Sequence, residues 1–371
     1  MSVLPYRAMR TILDQERIVN FDLLKRLCET PGIPSREEKM RTLVIEELKP
    51  LTDSVAMDSM GNVIGIKRGS GGPKVMIAAH IDEIGFLVKF VDDRGFIRLH
   101  PVGGWDPRVM VAQRVYVHGF GGQRLLGTLM PAAKPIHVLT DEEKKKNPQI
   151  EEFFVDIGLP GDKVRSMVEV GDMVTMARTA EQVGDMVVSK TLDNRVSVFV
   201  MIEALRAVGD HKCEIQAVAT TQEEVGLRGA TTAAYTLEPE IGIAVDITLA
   251  NDFPGPEDYE HITRLGGGTA IKVMDSSLIC HPKLVRHFRD VAEKHGIKYQ
   301  LEILSRGGTD AGGIQRSRGG VPSFTLSIPT RYVHTVNEMA SVSDIEATIS
   351  LLARFLEVAH TRTYGYDGDV A

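Results

Sequence analysis

The chain has 371 residues, a formal net charge of −7 and 43% hydrophobic residues, as expected for a globular protein of one large domain or two. The negative charge argues against nucleic acid or an anionic membrane surface as the main partner, and no apolar stretch is long enough to predict a transmembrane helix. The N-terminus lacks the apolar core of a signal peptide. Cys28, Cys213 and Cys280 stand far apart, so we expect buried thiols in the cytoplasm, without disulfides.

The first ninety residues combine helical and strand-like patterns. Residues 18–30 have helical apolar spacing, Ser35-Arg-Glu-Glu38 predicts a capped helix start, and the apolar run 74–79 predicts a buried strand. Helical periodicity is then lost, and short strand-like pieces follow one another between glycines and prolines. These pieces are 86–91, 96–100, 114–118, 125–130, 173–176 and 186–188. We therefore predict a small β-rich domain at this point of the chain.

An alternation of strands and helices resumes at Lys190. The strand-like runs are 214–220, 241–245, 269–273, 299–304 and 322–328, and the helical segments are 194–208, 228–237, 282–295 and 343–360. Such alternation favours a mostly parallel sheet between two layers of helices. The predicted fold is therefore α/β, a three-layer α/β/α sandwich formed by 1–86 and 189–371, with a β-rich domain inserted at 87–188.

Ionisable residues follow four predicted strands, and one more precedes the predicted helix at Asn194, at the edge of the sheet where α/β proteins form their sites. They are His80, Asp82, Asp193, Glu223, Glu224, Asp246 and His334. Taken singly, each has an ordinary explanation, because adjacent glutamates are often solvated, lone histidines are often structural, and an aspartate can cap a helix. Taken together, two histidines and several carboxylates suit two divalent cations, which we expect to be zinc, cobalt or manganese.

Five motifs carry a resemblance to a known family. They are His80-Ile-Asp82, Leu192-Asp193-Asn-Arg195, Gln222-Glu223-Glu224-Val-Gly226, Ala244-Val-Asp246 and Tyr332-Val-His334. In this order they resemble the motifs of the tetrahedral (TET-type) dinuclear metallo-aminopeptidases. That family includes glutamyl, leucyl and lysyl aminopeptidases and proteins labelled cellulase or endoglucanase. The resemblance extends over nearly the whole chain, through Gly103-Gly-Trp-Asp106 and Gly307-Gly-Thr-Asp-Ala-Gly312.

The resemblance implies two divalent cations per subunit and five metal ligands. His80 and Asp246 would bind one cation, and Glu224 and His334 would bind the other. Asp193 would bridge the two cations, because a carboxylate can give one oxygen to each.

Two further residues receive roles from the same resemblance. Asp82 would hold the imidazole of His80 in the correct tautomer. Glu223 would be the general base that removes a proton from a water activated by both cations. The implied reaction removes N-terminal residues from short peptides. The insert would be a PDZ-like or β-barrel module for dimerisation, and the dimers would assemble into a hollow dodecamer.

Three other functions share some of these features. A dinuclear carboxypeptidase or N-deacylase also uses His-x-Asp and Glu-Glu motifs, but here the β-rich insert separates His80 from Asp193. A glycosidase needs two carboxylates and no histidine-rich metal set. Glycosidases also favour aromatic side chains that stack on sugars, and this chain has a single tryptophan. A non-catalytic scaffold would not need the full ligand set. For specificity, Arg306 and Arg331 are the candidates for a cationic pocket that would accept a glutamyl side chain.

Overall fold

The computed structural model of the protein describes residues 20–366. Three predictions concern residues outside this range. They are the helix start at residue 18, the lack of a signal peptide, and the outer ends of the α/β domain at 1–19 and 367–371. None of the helices within 20–366 is long and apolar enough to cross a membrane. Cys28, Cys213 and Cys280 are buried and form no disulfide, as predicted.

The structure contains seventeen strands and nine α-helices within the described residues. The strands are β1 (Ser54–Met57), β2 (Val63–Lys67), β3 (Lys74–His80), β4 (Gly85–Val91), β5 (Ile97–Val102), β6 (Gln113–His118), β7 (Arg124–Pro131), β8 (Phe153–Asp156), β9 (Met173–Met176), β10 (Glu181–Val183), β11 (Met186–Ser189), β12 (Glu214–Thr220), β13 (Ile241–Leu249), β14 (Thr269–Met274), β15 (Tyr299–Ile303), β16 (Ser323–Arg331) and β17 (Glu338–Ser341). The helices are α1 (Phe21–Glu29), α2 (Glu38–Leu48), α3 (Pro107–Met110), α4 (Gly161–Arg165), α5 (Leu192–Ala207), α6 (Arg228–Leu237), α7 (Pro282–His295), α8 (Asp310–Gln315) and α9 (Val342–Val358).

A sheet of eleven strands forms the centre of the molecule. Its order is β1-β2-β12-β3-β13-β16-β17-β11-β10, and β14 and β15 branch from β16. The central strands β12, β3, β13 and β16 are parallel to one another, whereas the strands on either side of them add antiparallel pairs. Parallel strands are buried on both faces, which explains their continuous apolar sequences.

Helices cover both faces of this sheet. Along β3, Val75 and Ile77 face a large core that contains residues of α5 and α9, while Met76 and Ala78 face a smaller core with residues of α6 and α8. Successive residues of a strand point to opposite faces, so one strand contributes to both cores. The prediction of a three-layer α/β/α sandwich is confirmed.

The β-rich insert is a closed barrel of six strands, in the order β4-β5-β8-β7-β6-β9. It has its own core, to which Phe86, Val115, Val155 and Val174 contribute. A separate barrel with a separate core confirms the predicted inserted β-rich domain.

The prediction that 186–188 belongs to the insert is wrong. This segment forms β11, which pairs with β17 of the large sheet, with Val187 opposite Ala340. A strand's apolar pattern indicates that it pairs, but it does not indicate its partner. The exact bounds of the two domains stay a prediction, and the last strand of the barrel ends at Met176.

The predicted capping box at Ser35 does not form. The helix α2 begins at Glu38, and no side chain caps it. Ser35 instead adopts a φ of 69°, and its N–H donates to the Glu37 carboxylate at 2.9 Å. Arg41 donates to the other oxygen of that carboxylate at 3.1 Å. The buried Glu37 therefore organises this helix start, and a pattern of local capping residues does not reveal that.

Candidate metal centre

The parallel strands bring three of the predicted segments to one level of the sheet. His80 is the last residue of β3, and Thr220, the last residue of β12, lies directly opposite it. The chain then turns, so that Glu223 and Glu224 follow within four residues. In the pairing of β13 with β3, Ala244 lies opposite Ala78, and Asp246, two residues further along β13, therefore reaches the level of His80.

Asp193 stands at the centre of the site. Its Oδ1 lies 3.2 Å from Nε2 of His80, and its Oδ2 lies 3.3 Å from Nε2 of His334. Asp193 is in the first turn of α5, and the next residue, Asn194, donates its side-chain amide to the carbonyl of Val245 at 3.0 Å. That hydrogen bond ties the start of the helix to β13. One carboxylate thus presents one oxygen to each of two imidazoles.

Backbone carbonyls orient both imidazoles. Nδ1 of His80 lies 3.1 Å from the carbonyl oxygen of Asp82, and Nδ1 of His334 lies 2.8 Å from the carbonyl oxygen of Gly104. Because a carbonyl only accepts hydrogen bonds, Nδ1 carries the proton in each case and Nε2 is the nitrogen that can bind a cation. Gly104 follows β5, so a loop of the insert helps to build the site.

The Asp82 carboxylate holds the two adjacent glutamates in place. Its two oxygens accept the backbone N–H groups of Glu223 and Glu224, each at 3.0 Å. The same carboxylate lies 3.6 Å from Nδ1 of His80. The backbone carbonyl oxygen of Asp82 is closer to that nitrogen, at 3.1 Å. The contact of Asp82 with His80 is therefore a main-chain contact, and its side chain orders the loop after β12.

The two glutamates face different histidines. Glu223 Oε2 lies 3.7 Å from Nε2 of His80, and Glu224 Oε1 lies 3.6 Å from Nε2 of His334. Two groups of side chains have ligand atoms that all lie within 4.8 Å of one another: His80, Asp193 and Glu224, and His80, Glu223 and Asp246. Glu224 Oε1 is buried and has no hydrogen-bond partner among residues 20–366. A carboxylate oxygen in that position suits a cation.

The site concentrates buried negative charge. Burial raises the pKa of Glu223 and of Asp246 well above the ordinary value, although the nearby His80 opposes this. Burial and the Asp193 charge raise the pKa of Glu224 to about 7. Burial would lower the pKa of His80, but the surrounding carboxylates outweigh it and hold that pKa well above its usual range. Such a group of buried acids is of the kind that holds divalent cations in proteins.

Two carboxylates beside the site had no predicted role. Glu338 in β17 is buried, and its two oxygens accept the backbone N–H groups of His334 at 2.8 Å and of Asp193 at 2.9 Å. Asp310 accepts the Thr220 hydroxyl at 2.5 Å. Burial raises the pKa of Asp310 to about 6. One sequence signal could have pointed to Glu338: it is a glutamate at the start of an otherwise strand-like segment, four residues after His334.

The metal-ligand candidates open into a cavity of about 540 Å³. Its other walls come from Leu227, from the end of β13, from the loop after β15 and from Val333. Arg306 is part of this lining. Arg331 is not, because its guanidinium makes two hydrogen bonds to the Asp252 carboxylate, at 2.7 and 2.8 Å. Of the two arginines considered for a specificity pocket, the structure therefore leaves Arg306.

Comparisons with known proteins agree with this arrangement. Residues 61–351 match the profile described as M42 glutamyl aminopeptidase. The chain is 37% identical to a lysyl aminopeptidase of Pyrococcus furiosus over 355 residues, which covers 92% of this chain and 97% of the relative. An aminopeptidase structure from Desulfurococcus kamchatkensis matches with a TM-score of 0.87 and 38% identity, covering 91% of this chain and 94% of that one.

A solved structure of a peptidase described as TET1, from Pyrococcus horikoshii, matches with a TM-score of 0.80 and 30% identity. The match covers 91% of this chain and 98% of that one. The resemblance to the TET-type aminopeptidases, inferred from five short motifs, is confirmed over most of the chain. The chain belongs to the M42 glutamyl aminopeptidase family and is a peptide hydrolase of the aminopeptidase type.

Proposed function

We propose that the protein removes N-terminal residues from short peptides with two divalent cations bound per subunit. The observation that carries this proposal is the position of Asp193, with one oxygen 3.2 Å from His80 and the other 3.3 Å from His334. A carboxylate between two imidazoles is suited to bridge two cations. His80 and Asp246 would complete one site, and Glu224 and His334 the other. The buried, unpaired oxygen of Glu224 supports its role as a ligand.

Divalent cations bound here would supply Lewis-acid activation of water and of the scissile carbonyl. Glu223 is the proposed general base. Its side chain remains 11% exposed and lines the cavity, so it can meet both water and substrate. It would take the proton of the attacking water and then donate that proton to the leaving amine. The Asp82 carboxylate would hold Glu223 in position by accepting a hydrogen bond from the backbone N–H of Glu223.

The cavity supports a preference for neutral or acidic N-terminal side chains over cationic ones. Leu249, Leu304 and Val333 form apolar parts of the lining. Arg306 is exposed and has no acidic partner within salt-bridge distance among the described residues, so its charge remains available to a ligand. A substrate lysine would be repelled, whereas a glutamate would pair with the guanidinium.

Assembly into a homo-oligomer is the second part of the proposal. The Pyrococcus horikoshii relative is described as assembling into a tetrahedron or an octahedral shell. On the barrel of the present chain, Phe90, Phe120 and Val170 are more than half exposed, which suits a surface that another subunit covers. Sedimentation should therefore show dimers or a dodecamer, and a stable monomer would contradict this part.

Metal removal tests the catalytic proposal directly. Purified protein is assayed on leucyl-, glutamyl- and lysyl-p-nitroanilide before chelation, after chelation, and after stepwise return of Zn²⁺, Co²⁺ or Mn²⁺. We expect activity to disappear with the chelator and to return with about two ions per subunit. Activity that survives removal of all metal would reject the metal-dependent reaction. Hydrolysis of N-acyl amino acids, with no cleavage of any anilide, would favour an N-deacylase instead.

A further inference from the structure

A group of buried charged residues lies behind one wall of the site cavity, and the proposed reaction does not use it. Lys272 in β14 and Glu302 in β15 lie opposite each other on paired strands, and the Lys272 ammonium contacts the Glu302 carboxylate. The Asp275 carboxylate lies 3.9 Å from the same ammonium. All three side chains are at most 2% exposed. The Lys272 ammonium is therefore the counter-ion of two carboxylates in a region that bulk water does not reach.

Each of these acids binds a threonine of the cavity wall. The Thr248 hydroxyl donates to Glu302 at 2.6 Å, and the Thr309 hydroxyl donates to Asp275 at 2.9 Å. Both threonines line the cavity. Because their hydroxyl protons are engaged with the buried acids, neither threonine has a proton to give to a substrate. They can still accept hydrogen bonds and they shape the pocket.

The loop that carries Arg306 rests on the same group. Ser277 donates to Asp275 from its backbone N–H at 2.8 Å and from its hydroxyl at 2.9 Å. The Thr309 N–H in turn donates to the Ser277 hydroxyl at 3.1 Å. A Cβ added to Gly308 would lie 2.9 Å from the Ser277 side chain, so the loop packs directly against this serine. Asp275 thus holds Ser277 in position, and through Ser277 it holds the loop that carries Arg306.

We propose that Lys272 is a positioning residue for the substrate: through Glu302 and Asp275 it holds Thr248 and Thr309, and so sets the pocket for the N-terminal side chain. This inference rests on the aminopeptidase function proposed above. Lys272 is not a catalytic residue, because it does not reach the cavity. Burial alone would lower the pKa of Lys272, but Glu302 and Asp275 outweigh it and raise that pKa above the ordinary value. The ammonium is therefore charged at neutral pH.

Lys272→Met tests the proposal by removing the charge while keeping most of the length of the unbranched side chain. The metal-loaded protein is assayed on leucyl-p-nitroanilide, whose side chain is long, and on alanyl-p-nitroanilide, whose side chain is short. We expect KM for the leucyl substrate to rise about tenfold, equivalent to ~1.4 kcal/mol, and KM for the alanyl substrate to change less than twofold. We expect kcat and the metal content to stay near their wild-type values.

Lys298→Met is the matched control. Lys298 is exposed beside the same strand β15 and donates to the carbonyl of Gly266 at 2.5 Å. It touches neither the cavity nor the buried acids. Both KM values should match those of the wild type in this variant. A leucyl KM that rises equally in both lysine variants would overturn the proposal.

A double variant separates positioning from simple stabilisation. Loss of Lys272 leaves two buried carboxylates without a counter-ion, which destabilises the fold. Lys272→Met/Glu302→Gln removes one of those charges. We expect its unfolding midpoint to recover toward the wild type while KM for the leucyl substrate stays raised. Recovery of both would show a structural role only, and an equal rise of both KM values or a loss of metal would also overturn the proposal.

The outcome for the wild type separates this inference from the function on which it rests. Wild-type protein that cleaves neither anilide would reject the proposed function, and this inference with it. Active wild-type protein together with unchanged KM values in a folded Lys272→Met variant would reject the inference alone.

Discussion

The two histidines of the metal centre stand in different settings. His80 ends an interior strand of the sheet, and its side chain is 1% exposed. His334 lies in the loop between β16 and β17, with a φ of 60° and a side chain that is 34% exposed. The sheet itself fixes His80, whereas His334 depends on Gly104 of the insert and on Glu338. The His80 side of the site thus rests on a strand of the central sheet, whereas the His334 side depends on contacts of a loop with the insert and with β17.

The largest effect on activity is expected from a substitution of Glu223, the glutamate that faces His80. Glu223→Gln keeps the size of the side chain but removes the basic oxygen, so we expect kcat to fall by about 10²–10⁴-fold. The metal content should stay normal, because Asp193, Glu224 and Asp246 remain. Kinetics and elemental analysis of the same preparation check this. Glu224→Ala should lose metal instead, and a Glu223→Gln variant with normal activity would remove Glu223 from the mechanism.

An intermediate effect is expected on the His334 side. Glu338→Gln replaces one of the two acceptor oxygens with an NH2 group, so that either the N–H of His334 or the N–H of Asp193 loses its acceptor. We expect metal affinity to fall by about 10–100-fold, with one of the two ions affected more than the other. Competition titration against a chelator measures this. Glu151→Gln, at an exposed position of the insert, serves as the control, and equal affinities in both variants would contradict the supporting role of Glu338.

The smallest effect concerns a histidine away from the site. His287 is 3% exposed, and its Nδ1 lies 2.5 Å from the Tyr364 hydroxyl. Burial and the positive charge of Arg362 lower the pKa of His287 to about 4, in contrast to the raised pKa values of His80 and His334. Loss of solvent contact acts to lower the pKa of all three histidines, so the carboxylates around His80 and His334 make the difference.

Stability should therefore depend on pH through His287. A folded-state pKa below the unfolded value of about 6.5 means that the unfolded chain binds more protons, so stability falls as the pH drops from about 6.5 toward 4. His287→Phe should reduce the loss of stability between pH 7.5 and pH 5 by on the order of 1 kcal/mol. Urea unfolding at both pH values checks this. An unchanged loss would mean that His287 does not titrate differently in the folded protein.

The positions of the apolar runs predicted most of the charged side chains that surround Asp193, for a simple physical reason. Parallel strands of an α/β sheet end at one edge, so residues that follow buried apolar runs meet there even when the runs are far apart in the chain. His80 and Glu223 follow this rule directly. Asp246 follows it with one difference, since β13 continues to Leu249 and Asp246 lies inside the strand.

What the sequence could not provide are the partners that depend on pairing across the fold. The segment of β11 has a strand pattern, but only the packed structure assigns it to the large sheet. Glu338 and Lys272 look like ordinary charged residues in sequence, because their importance comes from burial against acceptors and acids contributed by distant strands. Local patterns specify which elements form and where they end, since those depend on neighbouring residues. Tertiary packing alone decided which buried charges meet, because the cost of desolvating a charge is determined by everything around it.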